Sequence, residues 1–440
     1  MQANRTYRIS ARTGTAIVIA NMIGTGVFTS LGFQLRDLEN AAAVLTLWVL
    51  GGVLALSGAF SYAEVGTHIR KSGGEYTFLS EIFYPVVGYL SGWISLTVGF
   101  AAPIALSAIA VVEYFPFGTV PTRWVSVLLV AAITAVHSRT LKTSVIFQDV
   151  STLFKVLLIG VLILVGLVLP GQAEARYGMG ADYVTELTSS GFAIALIFVS
   201  YSYSGWNAAA YITEEFHNPA RSLPIALIGG TLIVTVMYTA LQYVFLKHVP
   251  AAELVGQIEV GNIAVRKMLG AGAGNVFGVA ISLLLVSGIS AMTWVGPRVT
   301  ARMADGHRLW QVFRARADGI PHRALWLQFG ITALLLLTGT FEQILVYCGV
   351  LLTISAMLTV VGVFVIRARP EPPEPGSFRS PLFPLFQILF VLLSLWMIAF
   401  AFLNNTVETV AGLSNLLLGL VTWFLSNRMN ADHQRGRSAS

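Results

Sequence analysis

Two short runs of glycine and hydroxyl-bearing residues sit inside strongly apolar stretches of this chain. The first is Ile23-Gly24-Thr25-Gly26-Val27-Phe28, and the second is Tyr201-Ser202-Tyr203-Ser204-Gly205-Trp206-Asn207. Glycine weakens a helix by about 1 kcal/mol relative to alanine, so such runs mark places where a helix can unwind for a turn. Unwinding frees N–H groups at the start of the second half-helix and carbonyls at the end of the first. The positive N-terminal end suits a carboxylate, and bare carbonyls suit an ammonium group. Two facing breaks therefore make a receptor for a small zwitterion. Gly24 and Gly26 would let the backbone approach it, and Thr25 adds a hydroxyl. The competing reading is that the glycines only permit close helix packing, the role expected of Gly51, Gly52 and Gly58.

A third residue with chemical potential is Lys155, the one charge in the middle of the apolar run 145–169. An ionisable group at such a position points to function, because its cost must be offset by a partner or by water. Ten residues into the run it lies about 15 Å deep, level with the first glycine break. From there an ammonium can reach carbonyls freed by that break, in the place a sodium ion would take, or carry a proton. The plainer alternative is a lysine whose stem snorkels to water. Glu64 reads as a solvated helix end or a gate residue. Glu214, Glu215 and Arg221 read as a solvated loop or an inner-gate ion pair. Trp206 is expected to pack beside the second break and shape the pocket, and Asn207 to cap the helix after it or to bond a neighbouring helix.

The elements that must carry these residues follow from composition. Of 440 residues 55% are hydrophobic and only 11% charged, under half the share a soluble domain needs for its surface. Apolar runs long enough to cross a hydrocarbon core of about 30 Å recur along the chain. Backbone groups in lipid must be satisfied within their own segment, so these runs become helices. Twelve spans are predicted, at 14–35, 42–66, 85–112, 122–138, 145–169, 190–213, 223–247, 273–297, 324–340, 342–366, 382–403 and 407–427. The first follows Arg5, Arg8 and Arg12 like a signal peptide. It is too long for one and lacks a cleavage site, so it is read as a retained helix. Of the 27 lysines and arginines, 20 fall on segments that would face the cytoplasm with both termini inside, 6 on the opposite side, and Lys155 within a span. That asymmetry orients the chain in a cell membrane with both termini cytoplasmic. It also explains the +6 net charge without any nucleic-acid partner. Residues 1–13 form a cytoplasmic N-terminus, 14–366 a ten-helix core, 367–381 a proline-rich cytoplasmic linker, 382–427 a final helix pair and 428–440 a tail, expected to be disordered from Asn430. The arginine-rich loop 298–323 is expected to lie on the membrane surface.

The two breaks open corresponding spans, the first of residues 14–169 and the first of residues 190–366. Paired interruptions in matching places are the sequence sign of an inverted-repeat transporter. Four segments resemble the amino acid–polyamine–organocation family, and within it the bacterial relatives of the L-type amino acid transporters. They are Ile23-Gly-Thr-Gly-Val-Phe28, Tyr62-Ala-Glu-Val-Gly66 with Lys71-Ser-Gly-Gly-Glu-Tyr76, Tyr203-Ser-Gly-Trp-Asn207, and Thr213-Glu-Glu215 with Asn218-Pro219 and Pro224. The resemblance implies an all-α membrane fold of the LeuT type, five plus five inverted helices with two appended, helices 1 and 6 being discontinuous. It implies a substrate carboxylate on the N–H groups of Thr25, Gly26 and Val27, beside Ile23 and Gly24. The amino group would meet carbonyls near Tyr201, Ser202 and Ser204, beside Gly205. Tyr201 stands where the family usually has a gating phenylalanine. A lysine on helix 5 is similar to that of sodium-independent members.

The expected function is a sodium-independent carrier of neutral L-amino acids, an exchanger or proton-coupled symporter working by alternating access. A carrier of polyamines or cationic amino acids is the nearest alternative, disfavoured because no acidic residue lies in the middle of spans 3, 8 or 10. A transport-inactive amino acid sensor and an ion channel are the others. No phosphate-binding loop, convergent catalytic groups or metal-ligand spacing appears, so no enzyme activity and no cofactor are expected. The single cysteine, Cys348, falls inside a span, so no disulfide-linked heavy subunit is expected.

Overall fold

The computed structural model describes residues 9–115, 120–139, 145–171, 178–315, 320–370 and 375–438. Arg5, Arg8, Lys142, Arg176 and the centre of the proline-rich linker lie outside the described residues. Helices come in the order α1 (Ala11–Met22), α2 (Gly26–Thr29), α3 (Leu31–Gln34), α4 (Ala41–Ile69), α5 (Gly74–Ile82) and α6 (Pro85–Ile94). A π-helical segment, Ser95–Gly99, joins α6 to α7 (Ala101–Tyr114). There follow α8 (Thr122–His137), α9 (Val145–Val168), α10 (Ala181–Leu187), α11 (Ser190–Ser202) and a 3₁₀ segment, Ala208–Glu215. The remainder is α12 (Pro219–His248), α13 (Ala251–Leu254), α14 (Val260–Leu269), α15 (Ala271–Gly306), a 3₁₀ turn Arg308–Phe313, α16 (His322–Thr338), α17 (Phe341–Ala368), α18 (Leu385–Asn404) and α19 (Thr406–Ser438).

Among the described residues, eight helices are long and apolar enough to cross a bilayer, and nine if α10 and α11, bent by 62° at their junction, are one span. The predicted spans 122–138 and 324–340 appear as the shorter helices α8 and α16, and 14–35 and 190–213 are broken. Chain punctuation explains several boundaries. Asn40 caps α4 by accepting from Ala42 N at 2.8 Å, and Thr340 with Gln343 forms a capping box that separates α16 from α17.

Two expectations are corrected. The surface loop expected from Arg298 begins as helix, since α15 runs to Gly306 with Pro297 inside it. Proline in a membrane helix is tolerated where neighbours satisfy the freed carbonyl. The tail, expected to be disordered from Asn430, continues α19 to Ser438. The connection after α4 holds α5, and the stretch between α12 and α15 holds α13 and α14.

The interior is built around α12, which packs on both α4 and α1, with α7 and α15 forming a second tight pair. In lipid there is no hydrophobic drive between helices, so close approach through small residues matters. A Cβ on Gly230 of α12 would lie 2.7 Å from Val18 of α1, and one on Gly58 of α4 would lie 2.6 Å from the ring of Trp206. Ile9 pairs with Phe216 as an isolated bridge, which ties the start of the described chain to the end of the 3₁₀ segment. That side of the molecule is called the N-terminal face below.

Candidate functional site

The site begins where helical hydrogen bonding fails. Helix α1 stops at Met22, Ile23 is extended (φ −74°, ψ 90°), and helix resumes at Gly26. Among the described residues, no backbone carbonyl accepts from the N–H groups of Thr25, Gly26 or Val27. The freed carbonyls are met by side chains from neighbouring helices. Tyr238 of α12 donates to Met22 O at 2.6 Å, Gln242 to Val27 O at 2.9 Å, and Tyr114 of α7 to Phe28 O at 3.0 Å. The second break opens after Ser202, and the chain turns at Gly205 before the 3₁₀ segment. Gly205 has φ +97°, a conformation open to glycine and strained for other residues.

The two breaks lie against each other. A Cβ on Gly26 would lie 2.5 Å from Ser202 Oγ, and one on Gly205 would lie 2.7 Å from Asn21 O. The half of each broken helix before its break packs on the half of the other after it: α1 on the 3₁₀ segment, α11 on α2 and α3. The two therefore cross antiparallel. A buried chain of hydrogen bonds fixes this crossing. Trp48 Nε1 donates to Gln34, Gln34 to Ser30, Ser30 and Ser202 share a hydrogen bond at 3.0 Å, and Ser202 donates to Phe198 O.

The predicted residues Ile23, Gly24, Thr25, Gly26, Val27, Tyr201, Ser202, Ser204 and Gly205 are thus brought together in one place. Tyr201 is buried with its phenol beside Thr25 and Cys348. Its carbonyl already accepts from Ser204 N at 2.9 Å. Trp206 is buried with its ring edge-on to Tyr62, centroids 4.7 Å apart, and against Phe390. Lys155 is different. It is partly buried, its helix α9 packs on α12 and α15, and its ammonium makes no hydrogen bond to the carbonyls of the first break.

Several polar residues on the N-terminal face do more than the sequence reading assigned them. Glu64 is not a solvated helix end. It is 4% exposed, and its carboxylate accepts from Arg367 Nε at 2.7 Å, Arg367 Nη2 at 2.8 Å and Ser380 N at 2.8 Å. The Arg367 guanidinium also lies 3.9 Å over the ring of Phe383. Asn207 does not cap the helix after the break, and its amide instead donates to Glu75. Glu75 went unassigned although it stands inside a quoted motif, because one carboxylate after two glycines carries no signal of burial. Glu214 accepts from Ser72 N at 3.1 Å, and it forms no ion pair with Arg221 among the described residues.

A family profile described as amino acid permease matches residues 9–425. The chain belongs to the amino acid permease family. As such it is a multi-pass membrane protein. It is similar to the b(0,+)-type amino acid transporter 1 of Mus musculus, 28% identical over 424 residues, which cover 94% of this chain and 86% of that one. It is also similar to the large neutral amino acids transporter small subunit 2 of Rattus norvegicus, 27% identical over 429 residues, covering 93% and 78%. The name of the latter marks that protein as a subunit. Here the single cysteine, Cys348, is wholly buried in α17.

Proposed function

We propose that this permease carries neutral L-amino acids across a cell membrane by alternating access, without sodium, as an exchanger or a proton-coupled symporter. The observation that carries this reading is the antiparallel crossing of two helices that both lose their hydrogen bonding midway, at Gly24–Thr25 and at Tyr203–Asn207. The substrate carboxylate takes the N–H groups of Thr25, Gly26 and Val27, to which no carbonyl is bonded. The ammonium group takes carbonyls at Ser202 and Ser204 across the crossing. Tyr201 and Trp206 close the two sides of the pocket. Lys155 takes the place of a coupling sodium ion, moving to the helix 1 carbonyls as the cycle proceeds. The chain adopts the twelve-helix LeuT-type arrangement, 14–169 repeated by 190–366 with 382–427 appended, and the N-terminal face is cytoplasmic. The names of the two relatives, both amino acid transporters, support amino acids as the cargo. A buried Cys348 accords with a chain that takes no disulfide-linked partner.

The test is counterflow of radiolabelled amino acids into proteoliposomes, with sodium and pH varied. Accumulation of neutral amino acids that is indifferent to sodium is expected. Accumulation of polyamines or cationic amino acids alone, or strict sodium dependence, overturns the reading.

A further inference from the structure

The loop after α4 carries Lys71-Ser72-Gly73-Gly74-Glu75, and none of its residues belongs to the substrate site. Gly73 and Gly74 both have positive φ, +120° and +58°. A Cβ on Gly74 would lie 2.6 Å from the ring of Tyr211. The two glycines let the loop run directly along the 3₁₀ segment that follows the second break. Gly73 N donates to Tyr211 O at 3.0 Å, Ser72 N to Glu214, and Glu214 N to Ser72 Oγ at 3.0 Å. Next in the chain, Glu75 lies in the first turn of α5 and points inward, 5% exposed.

Three donors from two other elements converge on this carboxylate. Tyr62 of α4 donates its hydroxyl to Oε1 at 2.8 Å, Asn207 its amide to the same oxygen, and Tyr211 its hydroxyl to Oε2. No cation pairs with Glu75 among the described residues. A buried carboxylate held only by neutral donors is costly, and apolar side chains would pack these elements together at lower cost. The cost is accounted for if the contact must be specific and separable. Ionised, the carboxylate is acceptor-only and satisfies all three donors together. It joins three parts that alternate access has to move relative to one another: α4, the first loop, and the half-helix after the break. Both Tyr62 and Asn207 adjoin Trp206 in this arrangement, one by ring contact and one by chain adjacency.

We propose that Glu75 is the clasp of the gate on the N-terminal face. It is a positioning residue that holds Tyr62, Asn207 and Tyr211 around one carboxylate, keeps Trp206 across the path to the broken helices, and lets go when the protein opens to that side. The proposal rests on the alternating-access reading above and adds to it the residue that sets the balance between the two open forms.

The test has one arm that needs no substrate and one that does. In the first, hydrogen exchange of the full chain in nanodiscs is followed for wild type, Glu75→Gln and Tyr211→Phe. An amide at 75 has a single acceptor oxygen and turns its own N–H groups toward donors, so Glu75→Gln should speed exchange across residues 203–215 about tenfold, with α19 unchanged. Tyr211→Phe, which deletes one donor and keeps the ring, should act in the same direction by less. Unchanged exchange in 203–215 for both variants overturns the clasp whatever the protein transports. In the second arm, half-saturation is measured separately from the two faces of oriented proteoliposomes. The ratio of the two values should shift about tenfold toward tighter binding from the N-terminal face, because more of the population is already open there. A general structural loss would move both faces alike, and that outcome also overturns the clasp. Failure of wild type to carry amino acids would sink the functional reading and leave the exchange arm standing as a test of the clasp.

Discussion

Gly205→Ala is the sharpest perturbation of the broken-helix crossing, because one methyl group is opposed twice. At φ +97° an L-residue is strained, by about 1–2 kcal/mol. The new Cβ would also lie 2.7 Å from Asn21 O and 2.8 Å from Asn21 C, both backbone atoms of α1 that cannot rotate away. Ordinary carbon–oxygen contacts are about 3.3 Å or longer, so the two helices must separate by roughly half an ångström or more. Overpacking of that kind adds about 1–3 kcal/mol. The sum is about 2–5 kcal/mol against the observed crossing, a loss of binding between about thirtyfold and several thousandfold. The assay is equilibrium binding of the amino acid that counterflow identifies, with counterflow alongside. Gly160→Ala is the matched control. Gly160 lies within α9, and a Cβ there meets nothing within 4 Å. It should bind and carry as wild type does. If Gly205→Ala binds with wild-type affinity while monodisperse and folded, the two breaks do not form the binding site and the reasoning fails.

Three further outcomes follow from the structure. Arg367→Ala leaves the Glu64 carboxylate buried with only Ser380 N, and should destabilise by about 3–5 kcal/mol; the double variant with Glu64→Gln should cost less than the two single changes added together, and additive costs in a denaturation series would deny the coupling. Lys155→Met should lower counterflow at least about tenfold while wild-type uptake stays the same when choline replaces sodium, and full activity of the variant would remove Lys155 from the mechanism. Burial lowers the pKa of His307, which lies beside Tyr89 and 3.2 Å from Ser426 Oγ, so the unfolded chain takes up the proton first as pH falls. Stability from this group is therefore present at neutral pH and lost below about 6.5, and His307→Gln should flatten the drop in melting temperature between about pH 7.5 and 5.

What the amino-acid sequence by itself determined is what depends on neighbours along the chain. Apolar run length placed the eight helices that, among the described residues, are long and apolar enough to cross a bilayer, and glycine with hydroxyl residues marked both breaks, because unwinding is a local preference that Gly24 and Gly205 create where they stand. The family was legible in four short motifs for the same reason. Neighbours along the chain mislead where a residue's meaning comes from across the fold. Glu64 looked solvated from its position near a helix end, yet Arg367, some three hundred residues later, encloses it. Glu75 looked like part of a loop until Tyr62, Asn207 and Tyr211 met on its carboxylate. Asn207 could be read as a cap or a cross-link, and only the packing of the first loop on the 3₁₀ segment chose between them. The tail and the stretch after Arg298 were helical beyond their apolar runs, since polarity predicts what leaves the membrane and not where helical hydrogen bonding stops. Burial and pairing of charge are properties of three-dimensional neighbours. They were decided only when α4, α12, α17 and the broken helices came together.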